Sequence, residues 1–382
     1  MPKIQTVDFN PQINLAISEH DQELHAVDFS PQFLTVFSNI FIFYKILEVM
    51  DGLVKDLRNV ATKTNSGEDY LLMNSKYVPL NIEAKNFHPI VPNNIIQKVL
   101  FVDGGNNVLF DSAAFCVSFV RVGGITYSEN RRVARKLREF YLLVKENDGK
   151  YYVKTYPETS FNSMIFDPED ESLRNGMEKC SAARIVSVIR RFAEIEYAYE
   201  HSNGVDYVLM DGTLEARYPY EEKYLKKLFS SGKACALSKT CSLTTKYGLS
   251  VTKELLDLGS RNFLDIWYYY PVVTNNNPKH DAELYFIKLN TRTNYVFRFE
   301  IQKKFTKDID ELLAILAFNS CDPIFLGYPY GLIDVDQHAR VSDDESRLLQ
   351  TRLSVKLGKD WNEFSKHINS TNAHSILDKI KF

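Results

Sequence analysis

Beyond about residue 95 the chain alternates short apolar runs with glycine, proline and asparagine breaks. The segments IIQKVLFVD, AAFCVSFVRVGGITY and REFYLLVKENDGKYYVKTY are rich in β-branched and aromatic residues and carry glycine turns, so they predict consecutive strands. SAARIVSVIRRFAEIEYAYEH changes the period. Ile185, Val188, Ile189, Phe192 and Tyr199 recur at helical spacing, and SNG closes the helix. The strand VDYVLM, the helix YEEKYLKKLFSSG and the strand ACALSK follow, then three strand candidates: IWYYYPVV, AELYFIKLN and NYVFRFEI. The tail is helical in KDIDELLAILAFNS, DESRLLQTRLSVKLG and NAHSILDKI. This order predicts an α/β domain with a mixed sheet, an antiparallel meander first and helical crossovers after it.

The first 30 residues are polar and hold two turns, VDFNP and VDFSP. Residues 31–63 read as a long amphipathic helix. Its most apolar part, FLTVFSNIFIFYKILEVM, is broken by Asn39, Lys45 and Glu48, whereas a membrane span wants about 20 mostly apolar residues. The helix is expected to cover its own core or a partner surface, such as a second copy. The link FHPIVPNN then divides the chain into an extension, 1–90, and a main domain, 91–382. There is no internal repeat. MPKIQTVDFN lacks the apolar core of a secretory signal, so a cytoplasmic protein is expected.

Composition narrows the classes further. The 382 residues are 45% apolar and 25% charged with a net charge of −3, so no bulk basic field advertises nucleic acid. Any DNA would have to meet a local basic surface or a shaped channel. Five scattered cysteines without a CxxC argue against a zinc site and a disulfide scaffold.

Against that background two carboxylates stand out. VLFVDGG puts Asp103, and YVLMDGT puts Asp211, at the end of an apolar run followed by glycine, which permits a tight turn away from a sheet. An Asx-turn alone explains either one. On neighbouring strands, the two would point into one crevice, as polar residues do at strand ends of open sheets. The helix between them supplies a third. Glu196 lies four residues after Phe192 and three before Tyr199, on the apolar face, where a carboxylate needs a cation or an arginine. Glu194 is about 200° around from Phe192, four residues after Arg190, and reads as the solvated half of an i,i+4 pair. Carboxylates brought together repel unless a cation neutralises them. Oxygen ligands without Cys or His select Mg²⁺ or Mn²⁺, and two such ions roughly 4 Å apart suit phosphodiester cleavage.

FVDGG, the helix glutamate, VLMDGTL, ALSKT, YVFRFEI and FLGYPYGLIDVDQHARVSDDESRLLQTRL, in that order, resemble the NurA family over about residues 98–357. The resemblance implies an RNase H-like fold, nuclease action on DNA ends with a HerA-type hexameric ATPase, and a homodimer that the N-terminal helix helps to build. It also implies site residues. Asp103 and Asp211 match the metal-binding aspartates, Glu196 the helix glutamate with Glu194 as the alternative, and Lys239 a phosphate-contacting lysine. Tyr328 or Tyr330 matches the tyrosine near the site. Asp336 falls where many members have histidine, with His338 as second choice, and this departure touches the fourth ligand. Two other classes compete. An actin-like or sugar-kinase-type ATP-binding protein shares the core, but DGGNN and DGTLE fit its phosphate loops poorly and no P-loop exists. A non-catalytic docking subunit of a DNA motor would keep the aspartates as turns.

Overall fold

The computed structural model describes residues 50–58, 72–73 and 77–369, apart from 175, 246–247 and 263. The chain divides into two compact units, Met1–Ser66 and Gly67–Phe382. The described part of the first is a helix over residues 50–58 (α1), within the expected 31–63 helix. The rest of that segment, the two N-terminal turns and the tail stretch NAHSILDKI lie outside the described residues.

The second unit is built on a sheet that shows eleven strands among the described residues. Strands β1 (Leu72–Met73) and β2 (Val78–Pro79) lie outside it, and β3 (Phe87–Pro89) forms one edge. A meander follows: β4 (Val99–Asp111), β5 (Phe115–Ser128), β6 (Arg131–Asn147) and β7 (Lys150–Tyr156), with β8 (Ile165–Phe166) at the other edge. Helix α2 (Ala182–Glu200) leads to β9 (Tyr207–Asp211), and α3 (Glu221–Phe229) to β10 (Ala234–Ser238). Strand β11 (Thr244–Thr245) pairs with β1. After α4 (Val251–Arg261) and β12 (Trp267–Tyr269), β13 (Val273–Thr274) pairs with β2. Strands β14 (Ala282–Lys288) and β15 (Phe297–Gln302) return to the main sheet, and α5 (Ile309–Asn319), α6 (Tyr330–Ala339), α7 (Asp343–Leu357) and α8 (Trp361–Asn369) complete the chain.

The sheet order is β3-β12-β14-β15-β10-β9-β4-β5-β6-β7-β8. Strand β9 runs parallel to β4 and to β10, and the other pairings of the sheet are antiparallel. Meander first, helical crossovers second: the centre β6-β5-β4-β9-β10 is the RNase H-like arrangement. The sheet takes in Phe87–Pro89, which the 1–90 division assigned to the extension, because these residues pair with Trp267–Tyr269.

Period two sorts β4 between two cores. Leu100 and Val102 pack under α2, whereas Val99 and Phe101 pack under α5 and α6. Helix α2 starts where the Ser181 side chain accepts from the Arg184 N–H, a cap worth about 1 kcal/mol. Its Ile185, Ile189 and Phe192 are fully buried, each contributing about 1.5–3 kcal/mol. Its burial is not confined to one stripe, since Val186, Ala193, Glu194, Ile195 and Tyr197 are buried too.

Candidate active site

The last paired positions of β4 and β9 are Val102 and Met210. Asp103 and Asp211 come next, leaving adjacent parallel strands in the same register, about 5 Å apart at the backbone. They open on a cleft of about 750 Å³ that Arg190, Arg191, Glu194, Lys239 and Arg298 also line. The two strands then part. Strand β9 ends at Asp211, and Gly212 turns the chain with φ +99°. Strand β4 does not end at Asp103 as expected. It runs on to Asp111, because Gly104 through Asn107 keep their partners on β5.

The helix carboxylate in the cleft is Glu194, not the favoured Glu196. Glu194 is 4% exposed and pairs with Arg190 and Arg191. The expected i,i+4 pair with Arg190 exists, but it is buried against the sheet rather than solvated. The polypeptide itself makes that room, for a side chain on Gly104 would begin 2.6 Å from Glu194 Oε1. Glu196 points elsewhere. It accepts from Ser160 Oγ at 2.6 Å and faces Arg138 at 3.4 Å. Helix α2 is enclosed on several sides, so the face of Phe192, which Glu196 shares, is not the one directed at Asp103 and Asp211.

Lys239 Nζ donates to Asp211 Oδ2 at 2.8 Å and sits 5.5 Å from the Tyr328 ring centroid. Tyr328 Oη lies 3.5 Å from Asp211 Oδ1. Asp336, on α6, is near enough for its charge to act on both Lys239 and Tyr328, and it also accepts from Arg340 at 3.0 Å. The structure thus brings Asp103, Asp211, Glu194 and Lys239 to one cleft, with Tyr328 against Asp211 and Lys239 and the charge of Asp336 within range. Tyr330 and His338 lie apart from them. Tyr330 packs edge-on to Tyr127, and His338 Nε2 takes a 2.5 Å hydrogen bond from Arg135. A step of two residues separates each from the residue that does reach the site.

Behind Asp211 lies a polar network that the sequence pattern alone did not single out. Glu300 is fully buried; its Oε2 accepts the Leu214 N–H at 2.6 Å and faces His280 Nε2 at 2.8 Å. Its Oε1 accepts from Arg298 at 2.7 Å, and Arg298 also donates to Tyr77 Oη at 2.9 Å. Burial opposes the Glu300 charge, but His280, Arg298 and the Leu214 amide outweigh it and hold its pKa down at about 2. Ser238 Oγ, donating to the Gly212 carbonyl at 2.6 Å, and Arg191, donating to the Thr213 carbonyl, fix the same turn. The signal was available: NYVFRFEI places Arg298 and Glu300 on one face of a strand at the middle of a sheet, where charges occur only with partners.

Charge is unevenly balanced across the cleft. Burial, then Glu194, then Asp211 push the Asp103 carboxyl up to about 8. Burial raises Glu194 as well, against the pull of Arg190 and Arg191. Burial opposes the charge on Lys239, yet Asp211 holds its pKa above the ordinary lysine value. Burial and the three aspartates suppress ionisation of Tyr328. The donors are all oxygens, so they suit a hard divalent cation, and Asp103 with Asp211 form the adjacent pair that one requires. As placed, no three His, Cys, Asp or Glu side chains among the described residues converge as a ready-made metal cluster. Arginines hold Glu194, and Lys239 holds Asp211.

A mixed sheet of this order, with carboxylates where its central parallel strands β4 and β9 part, defines a protein of the RNase H-like class. Comparison with known proteins narrows this. The NurA domain family matches residues 97–341, and the chain belongs to the NurA family. The crystal structure of the NurA nuclease from Sulfolobus solfataricus is similar with TM-score 0.50 at 14% identity, covering 84% of this chain and 97% of that one. Human ENDOV (TM-score 0.34, 10% identity, 69% and 93% covered) is a more distant likeness. So is a DNA complex of Ciona intestinalis endonuclease V (0.36, 11%, 65% and 90%). Comparison with curated protein sequences finds no match. Among the described residues, no helix is long and apolar enough to cross a membrane.

Proposed function

We propose that this chain is a divalent-metal-dependent nuclease that hydrolyses DNA phosphodiesters in the cleft between Asp103 and Asp211. The observation that carries the reading is the pair of aspartates in adjacent register, one of them buried beside the carboxylates of Glu194 and Asp211. Asp103 and Asp211 would hold Mg²⁺ or Mn²⁺, with Glu194 and Asp336 as the carboxylates available to complete the ligand set. When bound, such an ion supplies positive charge at the scissile phosphate and makes water a better nucleophile.

The chain's own residues do the rest. Lys239 and Arg298 present cations to the phosphate from the Asp211 side of the cleft. Tyr328, held in its protonated form, can donate a hydrogen bond to a phosphate oxygen. Arg190 and Arg191 keep Glu194 in place, and the Glu300 network keeps the Asp211 turn in place. Water attacks phosphorus, the bond from phosphorus to one ester oxygen breaks, and that oxygen leaves with a proton.

The family membership supports a finer reading: a homodimer that processes DNA ends beside a HerA-type hexameric ATPase. Light scattering and co-purification with such an ATPase test that part. The nuclease itself is tested on labelled linear DNA with Mn²⁺, Mg²⁺ or EDTA, alone and with the ATPase, wild type beside Asp211→Ala. Metal-dependent cleavage abolished by the substitution is expected. Cleavage that survives in a folded variant sinks the assignment.

A further inference from the structure

The cleft does not end at the aspartates. Arg184, Glu215, Arg217 and Tyr218 line it and also line a second depression of about 1290 Å³. That depression shares Ala216, Glu222 and Asn276–Lys279 with a third, of about 470 Å³, which reaches Lys226 and Lys303. The three form one trough leading away from the strand ends, and a backbone hydrogen bond of 2.8 Å from Ala216 to Lys279 ties its two walls together.

Its lining has two features suited to one kind of ligand. The first is aromatic. Tyr218 is half-buried and carries the Arg184 guanidinium 5.3 Å from its ring centroid, while Tyr220 is 48% exposed. Tyr220 is held in a left-handed conformation, φ +70°, at the start of α3, where its side chain makes no cap. A bulky residue is uncommon in that conformation. Its hydroxyl, donating to the Ile165 carbonyl at 3.0 Å, and its edge contact with Phe166 fix the ring in place. The second feature is charge. Three of the trough's acids are engaged locally: Glu222 with Lys226, Asp170 with Ser172, Glu215 with Asn277. Arg217 and Lys279 are exposed and form no ion pair among the described residues; the exposed Glu171 and Asp281 are the opposing charges.

We propose that this trough is the track of an unpaired nucleic-acid strand running to the cleft, its bases stacking on Tyr218 and Tyr220 and its phosphates meeting Arg217 and Lys279. The inference rests on the nuclease reading for its direction and goes beyond it by naming the strand state and the subsite. Ring faces are useful only to bases freed from a duplex, since paired bases stack on one another. Cations spaced along a groove serve the backbone whatever its sequence.

The test is binding rather than cleavage, so that it stands apart from the nuclease assignment. Full-length protein in EDTA is titrated into fluorescein-labelled dT15 and into a blunt hairpin duplex, and anisotropy is read from low to moderate KCl. Wild type is expected to bind dT15 more tightly than the duplex. Tyr218→Leu with Tyr220→Leu should weaken dT15 binding by about tenfold or more. Arg217→Ala with Lys279→Ala should flatten the slope of log K against log salt by about 1.4, or about 0.7 for each phosphate that is no longer neutralised. If the tyrosine pair fails to fold, the salt slope of the exposed cation pair decides alone. Variants that bind dT15 like wild type overturn the proposal. Equal binding of the duplex with equal losses overturns the unpaired strand. Binding that follows the proposal in a protein that never cleaves would leave the trough standing and remove the nuclease.

Discussion

Asp103-Gly104 and Asp211-Gly212 carry the same dipeptide into the same cleft from neighbouring strands, yet their surroundings have little in common. Asp103 is 8% exposed and accepts a hydrogen bond from its neighbour's amide, and the charges nearest to it include two other carboxylates. Asp211 is partly exposed, ion-paired to Lys239 and within reach of the Tyr328 hydroxyl. The glycines differ as well. Gly212 is there for its backbone, at φ +99° with open space where a side chain would sit; Gly104 is there for its missing side chain, under Glu194. One aspartate is buried beside two other carboxylates, which favour its protonated form until a cation binds, and the other is already balanced by Lys239. The comparison teaches that a shared motif fixes where a group sits, while its environment fixes what it can do.

The largest effect expected is on cleavage. Asp103→Asn and Asp211→Asn should each lower it by about a thousandfold or more, as loss of a group acting on the transition state does. They should part company in stability. An acid whose folded pKa is raised keeps its proton after the unfolded chain has lost it. Folding therefore weakens as pH rises from about 4 toward 8, and the loss is complete above that. In EDTA at pH 8, Asp103→Asn should melt higher than wild type, and Mn²⁺ should raise the wild-type melting temperature more than the variant's. Asp211→Asn should gain nothing comparable, since it leaves Lys239 without its partner. A lower melting temperature for Asp103→Asn would break the comparison.

The Asp211 side can be probed from behind through Glu300. Its folded pKa, about 2, lies below the ordinary 4.5, so its contribution is present above pH 4.5 and is lost as pH falls through that range toward 2. The difference corresponds to about 3 kcal/mol. Glu300→Gln should flatten the acid limb of a denaturant-midpoint series, and cleavage should fall because one acceptor oxygen can no longer serve both the Leu214 amide and Arg298. An acid limb the same as wild type would show that Glu300 does not hold the Asp211 turn.

The Asp103 side is probed through α2. Glu194→Gln is expected to cost about a hundredfold in cleavage, and Glu196→Gln less than about threefold, because only Glu194 faces the aspartates. The reverse ranking would restore the residue favoured by the sequence pattern and would mean that α2 is rotated from the placement described above.

How much of this was legible follows from what each signal measures. The central strands and α2 were readable because their apolar residues repeat at two and at 3.6. Strand β4 outruns its sequence pattern because Gly104, Gly105, Asn106 and Asn107 read as a turn; their strand state comes from β5, a tertiary partner. Strand β6 begins at Arg131, ahead of the pattern that starts at Arg138, since its first seven residues are exposed and show no apolar alternation. Of the residues that local grammar and family resemblance single out, Asp103, Asp211 and Lys239 line one cleft, and Tyr328 reaches Asp211. Periodicity favours Glu196 over Glu194 only where a helix has one buried face, and α2 has several. Arg298 and Glu300 lie in YVFRFEI, a block of the family resemblance that assigns them no role, although their alternation marks a polar face inside a sheet.

The smallest effect is also the sharpest comparison of the two glycines. Gly212→Ala would place a side chain in open space at a positive φ, so it should cost about 1–2 kcal/mol of backbone strain and nothing else. Gly104→Ala should cost a similar amount for a different reason. Its new methyl would stand 2.6 Å from Glu194 Oε1 and 3.2 Å from the Arg190 Cγ, so Glu194 must withdraw. The two can be told apart by shortening the neighbour. Glu194→Asp should relieve part of the Gly104→Ala penalty in chemical denaturation, giving a coupling of about 1 kcal/mol, and should add to Gly212→Ala without coupling. Additivity at both positions would mean that Gly104, like Gly212, is a matter of backbone alone, and the contrast between the two glycines would vanish.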